Sequence, residues 1–200
     1  MQMIENELRT EGFLCICGVD EAGRGSLAGP VFAAAVILPF GLEITGLDDS
    51  KKLSKTKREY LYSVITSEAV AYAIASASHT EIDELNIQEA TFLAMNRAVE
   101  MLSVEPDISI VDGNRSSGIN FKCITVIGGD SKSASVAAAS VLAKVTRDRY
   151  MTEIAKEYPQ YDFEKHKGYG TKLHYEKLRD HGPSNIHRSS FLKKTSSWKG

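Results

Sequence analysis

The sequence of 200 residues is poor in cysteine and has no long apolar run. Its three cysteines, Cys15, Cys17 and Cys123, lack the C-x-x-C spacing of a zinc site, so we interpret them as reduced thiols in a core. No apolar stretch approaches the ~20 residues of a membrane span, and residues 1–10 are too polar and acidic for a signal peptide. The sequence therefore predicts a cytoplasmic protein with no membrane partner.

The small net charge of −2 conceals an uneven distribution of charge along the chain. Residues 1–50 carry two basic and eight acidic side chains, whereas residues 144–200 carry thirteen basic and seven acidic ones. An acidic segment beside a basic one is typical of a metal site next to a polyanion, with an unevenly charged solvated surface as the alternative. We expect one domain over 1–200, in which residues from about 150 to 200 form a basic helical extension packed on the rest.

Apolar runs alternate with amphipathic segments, which indicates an α/β protein. The predicted strands are 13–17, 30–39, 69–78, 108–111 and 123–127. Helices are expected from Lys55 for roughly ten residues behind the N-cap Ser54, from Thr80, from Asn86, over 133–157 and near 172–179. The long helix over 133–157 has small apolar residues at helical spacing and should lie close against the sheet.

Acidic residues follow three of these predicted strands. They are Asp20 with Glu21, Asp112 and Asp130. Because side chains alternate along a regular strand, Asp20 and Glu21 can converge only where the strand ends or bulges. Ligands gather at the carboxyl ends of strands in open α/β sheets, and carboxylates crowded there need cations between them. The pattern predicts a two-metal site for Mg²⁺ or Mn²⁺ that cleaves phosphodiesters, with solvated acidic turns as the alternative.

Other residues are candidates for holding a phosphate-bearing substrate. The basic and hydroxyl candidates are Arg24, Ser50, Lys51, Lys52, Lys132, Lys144 and Arg147. Gly23 and Gly25 flank Arg24 and allow another backbone to approach. Tyr169, between two glycines, could stack on a base or sugar, or fill the joint between the tail and the core. The alternatives are that Lys51 and Lys52 are solvated loop lysines and that Lys144 forms a helix pair with Asp148. For His174, His187 and Arg188 the alternative is a structural role.

Seven motifs give the chain a resemblance to the ribonuclease HII family, the bacterial type 2 ribonucleases H. They are GVDEAGRG at 18–25, DSKKL at 49–53, VDGN at 111–114, GDSK at 129–132, AKVTRD at 143–148, HKGYGTK at 166–172 and HRSSF at 187–191. They span nearly the whole chain, and seven in the family's order make a specific match. The related type 3 enzymes carry an added N-terminal domain, whereas only about a dozen residues precede the first predicted strand here.

The resemblance implies a ribonuclease H-like fold: a five-stranded mixed sheet flanked by helices, with a helical C-terminal extension. It implies an endoribonuclease that uses Mg²⁺ or Mn²⁺, cuts the RNA strand of RNA–DNA hybrids, and nicks duplex DNA 5′ of embedded ribonucleotides. The ends left would be a 3′-hydroxyl and a 5′-phosphate.

The resemblance also assigns roles to individual residues. Metal binding and catalysis fall to the four carboxylates of Asp20, Glu21, Asp112 and Asp130. Recognition of the ribose 2′-hydroxyl falls to Gly23, Arg24 and Gly25, and stacking on the next sugar falls to Tyr169. Lys51 and Lys52 are expected to contact phosphates. We expect a monomer, and the rival hypotheses are a junction nuclease of the same fold and a hybrid-binding protein without catalysis.

Overall fold

A mixed β-sheet forms the centre of the computed structural model, which describes residues 1–192; residues 193–200 of the predicted extension lie outside the described part. Its strands are β1 (Ile16–Ala22), β2 (Val31–Ile37), β3 (Ala71–Ala77), β4 (Ile108–Asp112) and β5 (Cys123–Val126). Their order is β3-β2-β1-β4-β5; β2 is antiparallel to both neighbours, and β1, β4 and β5 are parallel. The predicted five-stranded mixed sheet is therefore confirmed.

Helices cover both faces of the sheet. They are α1 (Met3–Thr10), α2 (Lys55–Glu68), α3 (His79–Leu85), α4 (Ile87–Glu100), α5 (Ala134–Glu157), α6 (Phe163–His166), α7 (Lys172–His181) and α8 (Ser189–Leu192). One apolar core packs α4 against alternate residues of β1 and β2, including Val19 and Ala35. A second core packs α2 and α5 against the opposite face, which carries Ala34 and Val36.

The close approach of α5 to β1 depends on small residues. Ser133 caps α5 by accepting a hydrogen bond from the Val136 N–H, and the apolar face predicted for this helix is buried. On β1, a Cβ at Gly18 would overlap the backbone of Ser135 and Val136. Only glycine fits there, so the first turn of α5 lies directly over the strand that carries Asp20.

Several boundaries differ from the sequence predictions. Helix α1 was not predicted, and α2 spans 14 residues instead of about ten. Helix α3 begins after Ser78 and not at Thr80, because Ser78 and Glu81 form a capping box. Among the cysteines, Cys17 is fully buried, and burial raises the pKa of its thiol to about 12, as expected of an inert core residue.

The C-terminal segment packs on α5 and on the loop that follows β1. Its small core joins Leu27 and Ala28 of that loop to Met151, Tyr161 and Phe163. Among the residues that the structure describes, no helix is both long and apolar enough to cross a membrane.

Candidate active site

Three carboxylates converge at one edge of the sheet. Asp20, Asp112 and Asp130 each place a carboxylate oxygen within 4.8 Å of the other two. Asp20 and Asp112 meet because β1 and β4 are parallel neighbours with Val19 opposite Val111. Asp112 Oδ1 also accepts a 2.8 Å hydrogen bond from the Gly129 N–H and so fixes the turn that carries Asp130.

The reasons for this convergence differ from those predicted. Strand β1 continues to Ala22, so Asp20 and Glu21 lie within the strand, opposite Ala34 and Ala33 of β2. Asp130 does not end a strand; it lies on a short 3-10 turn, Gly129–Ser131, after β5. The expectation of an acid at the end of each strand is therefore right only for Asp112, the last residue of β4.

Glu21 adjoins this carboxylate cluster from the other face of β1. Alternation along the strand places Asp20 on the face covered by α5, whereas Glu21 Oε1 lies 3.4 Å from Arg24 Nη1. Arg24 in turn donates a 2.8 Å hydrogen bond from Nη2 to Gln88 Oε1 on α4. Although the two residues lie on opposite faces of β1, their carboxylates interact: the charge of Glu21 raises the pKa of Asp20, and Asp112 raises the pKa of both.

Burial and mutual repulsion raise the pKa values of the clustered acids. Burial, followed by the charges of Glu21 and Asp112, raises the pKa of Asp20 well above its ordinary value. Burial likewise raises the pKa of Glu21 and that of Asp130, and repulsion by Asp112 contributes to both. Carboxylates that are buried together resist ionisation unless a cation neutralises them. An all-oxygen donor set of this kind fits Mg²⁺ or Mn²⁺ and not zinc.

The two neighbouring lysines of the DSKKL motif have different surroundings. Lys51 Nζ lies 3.6 Å from Asp130 Oδ2. Partial burial alone would lower the pKa of Lys51, but attraction by Asp20 and Asp130 raises it. Lys52 instead pairs with Asp48, at 3.2 Å. The structure therefore brings Lys51, and not Lys52, to the carboxylate cluster.

A serine on α5 interacts with Asp20 and has a buried hydroxyl partner of its own. Ser140 on α5 hydrogen-bonds the Asp20 carboxylate, which partly offsets the rise in its pKa. The Ser140 Oγ also lies 2.8 Å from the Ser50 Oγ, and both serines are buried. Ser50 was a candidate substrate contact; the structure shows that it is a buried partner of Ser140. Sequence reasoning missed Ser140, which lies within the run of small residues on α5.

The loop after β1 is held by two buried arginines. Arg188 donates to the carbonyl oxygens of Gly23 at 2.8 Å and of Arg24 at 2.7 Å. Arg147 donates to those of Ala28 at 3.2 Å and Pro30 at 3.1 Å. Gly23 has φ +99°, and a Cβ there would overlap the Arg147 side chain, so glycine is required.

Three further basic candidates have partners within the protein. Arg147 is 0% exposed, so its prediction as a phosphate contact is wrong. Lys144 pairs with Asp148 at 2.7 Å, which is the alternative that the sequence left open, and Lys132 Nζ donates to the Ile127 carbonyl at 2.8 Å.

Tyr169 lies beside the same loop. It forms an isolated antiparallel bridge with Ser26, and the Leu27 N–H donates to the Gly168 carbonyl at 2.8 Å. The ring is partly exposed and has Lys144 Nζ 5.2 Å from its centroid. An open cleft of about 600 Å³ adjoins it, lined by residues that include Lys55, Arg58 and Lys167. Backbone bridges thus place the tyrosine next to Gly23–Gly25.

Comparisons with known proteins agree with this geometry. Residues 17–194 match the family model described as Ribonuclease HII. Ribonuclease HII of Caldicellulosiruptor bescii is 56% identical over 190 residues, which cover 95% of this chain and 92% of that protein. That of Bacillus licheniformis is 56% identical over 191 residues, which cover 96% and 74%. The crystal structure of ribonuclease H2 from Pyrococcus horikoshii OT3 has a TM-score of 0.74 and 26% identity, and the match covers 88% of this chain and 93% of that one. The chain therefore belongs to the ribonuclease HII family of ribonuclease H hydrolases.

Proposed function

We propose that this protein hydrolyses the RNA strand of RNA–DNA hybrids and nicks duplex DNA 5′ of an embedded ribonucleotide. The products carry a 3′-hydroxyl and a 5′-phosphate. The observation that supports this most directly is the position of the carboxylate cluster beside a glycine loop that is bridged to Tyr169. We also propose that it acts in the cytoplasm as a monomer with one catalytic domain over residues 1–200.

In this proposal the carboxylates are the metal ligands. Asp20, Asp112 and Asp130, with Glu21 beside them, hold two Mg²⁺ or Mn²⁺ ions. When bound, the two ions activate a water molecule and stabilise the leaving oxygen of the phosphodiester. Ser140 orients Asp20, the Gly129 N–H orients Asp112, and Lys51 contributes positive charge near Asp130. A protein that only bound hybrids would not need this cluster, because buried negative charge opposes a polyanion.

The loop and Tyr169 provide selectivity for ribose. Backbone groups of Gly23, Arg24 and Gly25 meet the 2′-hydroxyl, which both donates and accepts hydrogen bonds. The Tyr169 ring stacks on the adjacent sugar. Lys51 contacts a phosphate near the metals, and Lys52 contributes at most to long-range attraction. A junction nuclease of this fold would have no 2′-hydroxyl to recognise.

A duplex of DNA with one ribonucleotide tests the proposal. Wild-type protein with Mg²⁺ should make a single nick 5′ of the ribonucleotide and leave the all-DNA duplex uncut, when products are mapped on a sequencing gel. Asp112→Asn should abolish cleavage but keep the fold and the binding of the duplex, because the amide is a poor metal ligand of the same shape. Cutting at other positions, or near-normal turnover by the folded variant, would contradict the proposal.

The same substrate tests the role of Tyr169. Tyr169→Ala should lose most cleavage at the lone ribonucleotide, since stacking on one nucleotide contributes about 1–3 kcal/mol. Tyr60→Ala, which removes an exposed ring on α2, is the control and should cut like wild type. Equal activity of both variants would mean that Tyr169 only fills the joint between the extension and the core.

A further inference from the structure

We propose that Arg188 is a positioning residue for ribose selectivity, because it fixes the direction of the peptide groups in the Gly23–Gly25 loop. The inference rests on the proposed function, in which this loop meets the 2′-hydroxyl. Arg188 lies in the C-terminal extension, well apart in sequence from the carboxylate cluster.

The Arg188 side chain is buried against this loop and hydrogen-bonds to its backbone. It is 0% exposed, and its three nitrogens donate to three carbonyl oxygens. Nη2 donates to Gly23 at 2.8 Å, Nη1 to Arg24 at 2.7 Å and Nε to Gly29 at 2.9 Å. The backbone N–H of Arg188 donates to the Leu27 carbonyl at 2.9 Å, so both the backbone and the side chain of Arg188 form hydrogen bonds with the loop.

The guanidinium has no carboxylate partner within 4.0 Å among residues 1–192. Burial, and then the nearby charge of Arg147, lower the pKa of Arg188 to about 9, so the group still carries its charge at neutral pH. Carbonyl dipoles and the ring of Phe191, 5.1 Å away, therefore stabilise a buried cation. A buried charge held in this way is costly to keep, and a lysine could not span the same three carbonyls.

Fixing these carbonyl groups also fixes the N–H groups of the same peptides, which point the opposite way. Since the peptides are trans and planar, a carbonyl turned inward toward Arg188 turns the next N–H outward. The two outward N–H groups belong to Arg24 and Gly25, which are both exposed. Within the described part of the chain neither N–H has an acceptor, and a Cβ at Gly25 would meet nothing within 4 Å.

Besides Arg188, a 3.3 Å hydrogen bond from the Ser26 N–H holds the Gly23 carbonyl, so the peptide that depends most on Arg188 is the one joining the Arg24 carbonyl to the Gly25 N–H. Glycine adopts positive and negative φ about equally, so the peptide between Arg24 and Gly25 can rotate at little cost. Arg188 removes that freedom before substrate binds. Two pre-aimed N–H donors gain a partner from a ribose oxygen and none from deoxyribose, so the fixed loop discriminates more strongly than a mobile one.

Arg188→Lys tests the inference because it keeps the charge but cannot hold three carbonyls. We would measure the dissociation constants of a duplex with one ribonucleotide and of the matching all-DNA duplex, both without metal. The preference for the ribonucleotide should fall about tenfold, which corresponds to about one lost hydrogen bond. With Mg²⁺, kcat for the ribonucleotide substrate should fall as well, because a loosely held sugar misplaces the phosphate.

A matched control separates positioning from simple stability. Tyr161→Phe removes only a hydroxyl group, and with it the 2.7 Å hydrogen bond to the Gly182 carbonyl in the same C-terminal extension, and it leaves the hydrogen bonds of Arg188 in place. It should lower the melting temperature and leave the preference for ribonucleotide unchanged. An unchanged preference in folded Arg188→Lys would overturn the inference and leave Arg188 as a tie between the extension and the sheet.

A measurement on wild-type protein covers the case in which Arg188→Lys does not fold. The backbone amide resonances of Arg24 and Gly25 should shift on adding the ribonucleotide duplex without metal, and shift less with all-DNA duplex. Equal shifts with both duplexes, or none, would overturn the inference. If wild-type protein with Mg²⁺ fails to cut at the ribonucleotide, the proposed function itself fails; if it cuts there but the amides do not respond, only the role of Arg188 fails.

Discussion

At the scale of single residues, Lys51 and Lys52 show how neighbours in sequence acquire different roles. Both side chains are largely exposed, but only Lys51 faces the carboxylate cluster, with its Nζ 3.6 Å from Asp130. Lys52 pairs with Asp48, an exposed pair of the kind that contributes little to stability. Sequence reasoning treated the two lysines alike because nothing in the motif distinguishes them.

We therefore expect Lys51→Ala and Lys52→Ala to differ. Lys51→Ala should lower kcat/KM for a ribonucleotide-containing duplex roughly fivefold to tenfold, since a charge-assisted contact to phosphate is lost close to the reacting group. Lys52→Ala should stay within about twofold of wild type and slightly flatten the salt dependence of binding. Steady-state kinetics at two salt concentrations make the comparison, and equal losses would show that Lys51 acts only through general attraction.

At the scale of elements, helix α1 supports the start of α5. Glu5 is 4% exposed, and its Oε1 accepts hydrogen bonds from Ser133 Oγ at 2.7 Å, Ser135 N at 3.0 Å and Ser135 Oγ at 2.8 Å. A carboxylate at this position satisfies free N-terminal donors of α5 and interacts favourably with its dipole. Ser133 closes the turn that carries Asp130, so α1 stabilises a segment that adjoins the site.

Glu5→Ala should lower the free energy of unfolding by about 1–3 kcal/mol, because it leaves buried donors of α5 unpaired. Glu5→Gln should cost less, since its carbonyl oxygen can still accept. Glu7→Ala changes an exposed acid of the same helix and should be close to neutral. Urea unfolding of the three variants measures their free energies of unfolding. Similar free energies for Glu5→Ala and Glu7→Ala would show that α1 does not stabilise α5.

At the scale of the whole molecule, three buried histidines join the C-terminal extension to the loop. His174 Nε2 lies 3.0 Å from His187 Nε2, and His174 Nδ1 lies 3.0 Å from the Tyr169 carbonyl. His187 Nδ1 accepts from the Ser184 N–H, so its Nε2 carries the proton when the ring is neutral. His187 then donates to His174, and His174 donates to the Tyr169 carbonyl. This arrangement requires both rings to be neutral.

This histidine contact between the C-terminal extension and the loop should therefore lose stability in acid. Burial, and then the neighbouring histidine (His166 beside His174, and His174 beside His187), lower the pKa of His174 and of His187 to about 4, from an ordinary value of 6.5. Between these values the unfolded chain binds protons that the folded chain does not. The stabilisation that the two neutral histidines provide is therefore complete above about pH 6.5 and is lost toward pH 4. Each histidine changes the folding equilibrium constant by up to about tenfold per pH unit in that window.

Denaturant unfolding between pH 4 and pH 7 measures how steeply the free energy of unfolding changes with pH. The raised pKa values of Asp20, Glu21 and Asp130 act in the opposite direction, so the informative quantity is the difference between variants. His187→Gln should flatten the loss toward acid by about one proton, whereas His181→Gln, at an exposed position, should keep the wild-type slope. Identical slopes for the two variants would contradict the assignment.

The sequence alone determined the local features of this protein. Apolar runs and their spacing predicted five strands and the long helix α5, because these patterns depend on neighbours within a few residues. The first run, 13–17, overlaps β1 only at Ile16 and Cys17. The motifs indicated the family, and the acidic residues Asp20, Asp112 and Asp130 were recognised from their places after apolar runs. Helix α1 was missed because its sequence, MIENELRT, is short and polar, and it is stabilised by contacts with residues near 133.

Only the tertiary structure decided which charged residues serve the site and which serve the fold. Arg147 was a candidate phosphate contact and Arg188 a candidate structural residue, and both are buried and bind backbone carbonyls more than 100 residues away in sequence. Asp20 and Glu21 lie on opposite faces of β1 because the strand, paired with β2, continues past them to Ala22, and Asp130 reaches the cluster on a turn that Asp112 fixes. Sequence spacing cannot reveal such contacts, because burial and partner geometry arise only when distant segments pack together.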